Sequence, residues 1–125
     1  MTVSVIPDGY HTVTPYIIVR NAVEAVGFYQ RAFNAEEVGR LAMPDGTIMH
    51  GEIKIGNSHV MFSEENQQMN MQSPLSLNGV TALLCLYVND VDSLFKQAIA
   101  AGASEIRPVQ DQFWGDRAGT VQDPY

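Results

Sequence analysis

The sequence predicts an α+β fold in which two β-α-β-β-β modules supply a mixed sheet with helices on its outer side. Three observations carry this. Strand and helix periods follow one another as strand, helix and three strands between residues 12 and 63. The order starts again at residue 82. The halves also align: Ile17-Ile18-Val19 matches Leu86-Tyr87-Val88 at an offset of 69, Ala35–Val38 matches Ala103–Ile106 at 68, and Gly46-Thr47-Ile48 matches Gly119-Thr120-Val121 at 73. The 125 residues read as one domain, with module one at about 11–63, a linker at about 64–81 and module two at about 82–125.

Each element has a local reason. Thr12 to Val19 is rich in β-branched and aromatic residues and reads as a strand, with Pro15 confining it to an edge or a strand start. Asn21 is placed as an N-cap with Glu24 at capping-box spacing, and Ala22, Ala25, Val26, Tyr29, Ala32 and Phe33 recur at helical spacing up to Asn34. Glu36 to Ala42 reads as a strand and Pro44-Asp45-Gly46 as a turn. Thr47 to Ile55 alternates, with Met49, Gly51, Ile53 and Ile55 on one face and Ile48, His50, Glu52 and Lys54 on the other. Gly56-Asn57 turns the chain into a return strand, Ser58 to Ser63. Glu64 to Thr81 is polar and without period, which marks a linker or a functional loop.

In the second half, Ala82 to Val88 is an apolar strand that should bury Cys85 as a reduced thiol. Asn89 or Asp90 caps a helix with Val91, Leu94, Phe95, Ala98 and Ile99 on its apolar face, and Gly102 suits its end. Ser104 to Val109 and Ala118 to Gln122 are strands, but the counterpart of Ser58 to Ser63 is missing, so an uncovered edge is expected to invite a second chain. One helix per four strands covers only one sheet face. The other must form a cup, pack on another sheet or meet water.

Composition narrows the function. Seven basic against fourteen acidic residues give a net charge of −7, with no basic stripe for nucleic acid or anionic membranes. No apolar run reaches transmembrane length and the N-terminus lacks a signal-peptide pattern, so a cytoplasmic protein is expected. No nucleophile elbow and no phosphate loop is present.

His50 and Glu52 stand at i and i+2 on one strand face. They could act as an acid/base pair or as two metal ligands, or simply form a solvated His–Glu contact, which the nearby Lys54 favours. Phe113, Trp114, Asp116 and Arg117 lie in a Gly-containing loop. There an indole and a guanidinium could stack on or hydrogen-bond an aromatic or anionic ligand, or Asp116 and Arg117 could pair locally. His11 and His59 read as structural or exposed, and Met69 and Met71 of the linker as adaptable cover for a cavity or a partner.

Four segments then resemble one family: Ile6-Pro-Asp-Gly-Tyr-His-Thr-Val-Thr-Pro-Tyr16, Phe28-Tyr-Gln-Arg-Ala-Phe33, Pro44-Asp-Gly-Thr-Ile-Met-His-Gly-Glu-Ile53 and Phe113-Trp-Gly-Asp-Arg-Ala-Gly-Thr-Val-Gln-Asp-Pro124. Together they resemble the PhnB-like branch of the vicinal oxygen chelate superfamily, which holds glyoxalase I, bleomycin-resistance proteins and extradiol dioxygenases. The resemblance implies paired βαβββ modules, a cupped sheet with a cavity, a small organic ligand and a homodimer. It also implies that metal-dependent members draw ligands from the first and fourth strands of each module. Those positions fall here on Thr14, on Phe62 with Met61 and Ser63 beside it, and on Leu83, while a register error would bring in Glu64. Thr, Phe and Leu are not a divalent-metal donor set, so a metal cofactor is disfavoured. The leading expectation is a protein that binds and sequesters a small organic ligand, anchored by Trp114, Arg117, Phe113, His50 and Glu52. The alternative is a metal-dependent lyase, isomerase or dioxygenase that would have to use His50 and Glu52.

Overall fold

A computed structural model describes residues 3–125. Module one is complete: β1 (Tyr16–Val19), α1 (Ala22–Phe33), β2 (Glu36–Ala42), β3 (Ile48–Ile55) and β4 (Ser58–Glu64). Its strands form a mixed sheet in the order β1-β4-β3-β2, with β1 parallel to β4 and the other pairs antiparallel. A 3-10 turn at Gln67–Met69 and a short helix α2 (Pro74–Leu77) follow. Module two supplies α3 (Val91–Ala101) and a two-stranded sheet of β5 (Ser104–Asp111) and β6 (Arg117–Gln122). The expected α+β class and the single-sided helices are therefore present.

The core lies between α1 and the four-stranded sheet. Ala22, Ala25, Val26, Phe28, Tyr29 and Ala32 of α1 meet Val19, Ile48, Ile53, Val60 and Phe62. Phe62 lies across Gly51, its register partner on β3, so closely that a Cβ there would stand 2.4 Å from the ring. α3 packs beside α1, where the Gln97 side-chain amide donates to Arg31 O (2.9 Å) and Asn34 Oδ1 (3.0 Å). The chain's final residues close on the same helix. The Tyr29 hydroxyl donates to Asp123 (2.8 Å), and the Tyr125 ring sits 5.7 Å from that of Phe28. Burial and the neighbouring Asp123 carboxylate push the Tyr29 phenol far above its ordinary value.

Several expectations are corrected. Asn21 occupies the N-cap position in the left-handed conformation, with no side-chain cap. The Glu64 carboxylate of β4 takes that role, accepting from the Asn21 and Ala22 amides at 2.8 and 2.9 Å. Ile48 is buried and Met49 exposed, against the expected alternation. The cause is a bulge: Leu41 pairs with His50 but Ala42 with Ile48, which leaves Met49 as an extra residue on β3. The first strand starts at Tyr16, not Thr12, because Pro15 has no amide to enter a ladder, although its carbonyl still accepts from Met61 N (2.9 Å). Residues 82–88 belong to no ladder, and Cys85 is exposed instead of buried. In module one the first strand is held by the fourth, and among the described residues nothing fills that place beside 82–88. The linker is not structureless: Asn66 caps the 3-10 turn and Ser73 caps α2.

The Gly51–Phe62 contact yields a test. Gly51→Ala should destabilise the protein by about 2–3 kcal/mol in denaturant titration, since either the ring or the β3 backbone must move. Gly39→Ala on the neighbouring strand, where nothing lies within 4 Å of the added methyl, should cost well under half as much.

Candidate functional site

The face of the sheet opposite α1 follows from strand alternation. Val60, Phe62 and Glu64 of β4 turn toward the helix, as the burial of the first two and the α1 cap made by the third require. His59, Met61 and Ser63 therefore take the inner face. Register then sets Tyr16, Met61, Glu52 and Gly39 in one row across the four strands, with Lys54 and His59 paired in the next.

Two hydrogen-bonded groups stand on this face. In the first, Glu52 Oε2 accepts from the Tyr10 hydroxyl and from His59 Nδ1, the latter at 2.6 Å. An ionised carboxylate only accepts, so Nδ1 carries a proton, and in the neutral imidazole His59 Nε2 is the acceptor. The Tyr10 ring stacks on the His59 ring at 3.9 Å. The hydrogen bond to Glu52, burial and the Glu52 charge, in that order, raise the Tyr10 phenol above its ordinary value. In the second group, Tyr16 Oη and His50 Nδ1 lie 2.9 Å apart. Thus His50 and Glu52 do share a face, but each is partnered by a tyrosine and not by the other.

Two segments wall this face. At one end, residues 7–10 make a turn in which Tyr10 N donates to Pro7 O (3.0 Å), and Gly9 supplies the positive φ of 85°. With Val5, Ile6, Thr14 and Met61 this arm encloses a hollow of about 590 Å³. A larger cleft of about 940 Å³ opens between the β3–β4 hairpin and the 84–90 segment, with Tyr10, Thr14, Lys54 and His59 on its wall. At the other end, Glu65 holds the linker. It accepts from Ser73 and Ser76 and pairs with Arg20 at 2.9 Å. The Ser76 hydroxyl first, and then Arg20, hold its carboxyl down at about 2. Ser63 is buried at the inner position of β4, and its hydroxyl has no partner.

The other sequence candidates lie elsewhere. Phe113 and Trp114 are exposed in the β5–β6 turn, the indole N–H donating to Asp116 (2.9 Å). Arg117 forks onto Asp92 and also meets Asp111, which accounts for its guanidinium locally. None of the three lines either hollow. His59, read from sequence as structural or exposed, and the tyrosines 10 and 16 are the members that sequence reasoning missed. The available signal was the two-residue Gly56-Asn57 turn, which sets His59 opposite Lys54 and diagonal to Glu52.

A divalent metal does not fit the positions that would hold it. Thr14 offers one weak oxygen, Phe62 points into the core, Leu83 is exposed, and Glu64 is committed to the start of α1. Among the described residues no three His, Cys, Asp or Glu side chains gather closely enough to hold a metal ion.

Residues 10–125 match the family described as the glyoxalase/bleomycin resistance protein/dioxygenase superfamily. The chain belongs to this superfamily. It is 39% identical over 115 residues to the protein Rv0887c of Mycobacterium tuberculosis H37Rv, a match covering 90% of this chain and 68% of the relative. Among solved structures it is similar to TioX from Micromonospora sp. ML1, with 28% identity, a TM-score of 0.66, and 91% and 88% of the two chains covered. The bleomycin resistance determinant encoded on the transposon Tn5, at 20% identity, shares the fold with a TM-score of 0.66 over 91% and 89% of the chains. The fold of the chain is thus the one these solved structures share. No helix among the described residues is long and apolar enough to cross a membrane.

The Glu65 lock gives a pH test. Its carboxyl is lowered from 4.5 to about 2 in the folded state, so its contribution is complete above about pH 4.5 and is lost as pH falls through about 2. Thermal melts of the wild type and Glu65→Gln should differ most near neutral pH and converge toward about pH 2.

Proposed function

We propose that this protein binds a small organic molecule without a metal, on the inner face of the module-one sheet and the cleft beside it, and acts by holding that molecule. The observation that carries the reading is the state of the polar side chains on that face. Tyr10, Glu52 and His59 bond to one another under the stacked Tyr10 ring, and Tyr16 bonds to His50, instead of converging on an ion. Such a wall, apolar with a few fixed polar groups, suits recognition of a compact organic ligand. Bleomycin resistance by a protein of the same fold is consistent with sequestration. Phe113, Trp114 and Arg117 remain proposed outer contacts, on the strength of the exposed aromatic pair in their turn. The PhnB-like branch is likewise part of the proposal, resting on the sequence segments quoted above.

The reading includes a homodimer. Residues 82–88 present an unpaired apolar edge, with Leu83 and Tyr87 79% and 86% exposed, and such edges pair readily with a second chain. A monomer mass in native mass spectrometry at micromolar protein would remove the dimer from the proposal.

The binding test is a thermal-shift panel of metal-free bleomycin and planar aromatic phenols, acids and amines, run with and without EDTA. At least one member should raise the melting temperature by several degrees, unchanged by EDTA. Stabilisation that requires added Zn, Ni, Fe or Mn and vanishes with EDTA would overturn the reading in favour of a metal-dependent enzyme.

A further inference from the structure

We infer that His59 is the anchor of the cleft and selects a ligand with an acidic aromatic hydroxyl, a phenol or an enol on a ring, whose proton it accepts. The inference rests on the binding reading above and names its ligand class. Glu52 accepts from Nδ1–H at 2.6 Å, which fixes the tautomer of the neutral imidazole and leaves Nε2 as its basic nitrogen. Nε2 has no hydrogen-bond partner among the described residues, and His59 lines the larger cleft. Gly9 of the arm lies beside it: an added Cβ there would stand 3.8 Å from Nε2, at ordinary contact distance, so the arm borders this nitrogen without bonding to it. A bare imidazole nitrogen accepts and does not donate, so the matching ligand atom is a donor.

The surroundings favour a hydroxyl that gives up its proton. When a phenol enters, its O–H bond breaks, an N–H bond forms at Nε2, and the electron pair stays on the phenolate oxygen. The resulting imidazolium donates from Nδ1 to Glu52 and from Nε2 to the phenolate. Lys54, across the ladder from His59 and without an ion-pair partner among the described residues, places a positive charge beside that oxygen. The other titratable groups on the cleft wall are Tyr10, His11, Cys85, Tyr87, Glu36 and Asp90. The last is already engaged as the α3 cap.

The probe is 4-nitrophenol, titrated into the full chain with EDTA present, at a pH below the probe's own pKa where the free compound is mainly neutral. The bound probe should absorb as nitrophenolate. His59→Gln should abolish that band and weaken binding about tenfold. Tyr10→Phe removes a competing donor from Glu52 and should strengthen the band. Thermal melts check that each variant folds, and Glu52→Gln, which should weaken the band, carries the test if His59→Gln does not. Nitrogen NMR should find Nδ1 protonated and Nε2 bare in the free protein at neutral pH. A probe bound as the neutral phenol, a phenolate band that survives both His59→Gln and Glu52→Gln, or a protonated Nε2 would overturn the inference. If 4-nitrophenol fails to bind while other members of the metal-free panel bind, the ligand class fails and the binding reading stands. If nothing binds, both fail.

Discussion

The contact between Phe62 and Gly51 fixes more of this molecule than any other. It is a core contact, but its consequence lies on the opposite face of the sheet. With Phe62 seated over a glycine and under α1, β4 cannot shift by one residue without expelling a buried aromatic ring. Val60 and Glu64 are then bound to the helix side, the first as core and the second as the acceptor for the α1 amides. His59, Met61 and Ser63 are equally bound to the inner face. The helix cap and the site's histidine are thus two readings of one register.

The same register explains why the inner face holds an organic-looking wall. Glu52 stands beside Met61 in the ladder and one step from the Lys54–His59 pair, so its carboxylate meets an imidazole before it could meet a metal. Tyr10 reaches the same oxygen from the arm and covers the ring. A carboxylate that accepts twice on one oxygen is well satisfied. A cation would have to displace those bonds, and the other histidine on this face, His50, is held by Tyr16.

Much of the fold was legible in the sequence because it is periodic. The helical spacing from Ala22 to Phe33, the Pro44-Asp45-Gly46 and Gly56-Asn57 turns and the internal offsets at Ala103–Ile106 and Gly119–Val121 reappear as elements, whereas the one at Leu86–Val88 does not. What was not legible depends on partners distant in sequence. Asn21 reads as a cap by its neighbours, yet Glu64, 43 residues away, makes the hydrogen bonds. Residues 82–88 read as a buried strand by composition, yet burial needs a ladder partner, and Cys85 is exposed without one. The bulge at Met49 depends on how β2 and β3 meet, which alternation alone does not encode. In the site, residue type flagged His50 and Glu52, whereas the pairing that gives Glu52 its chemistry comes from a hairpin and from the N-terminal arm.

The two modules also divide labour in a way their repeat does not announce. The first half of the chain carries the cap, the arm and the linker lock, and each is a side chain reaching to a distant element: Glu64 to α1, Tyr10 to Glu52, Glu65 to α2. In module two the corresponding polar groups stay close to home, with Asp90 capping its own helix and Trp114 bonded to Asp116. Arg117 ties β6 to the start of α3 through Asp92, and Gln97 and Asp123 fasten module two to α1. Long-range polar contacts therefore order the inner face of module one, while module two supplies the opposite wall of the cleft through 84–90 and α3. A repeat sharing one backbone plan becomes asymmetric in function because only one copy has polar side chains aimed across its sheet.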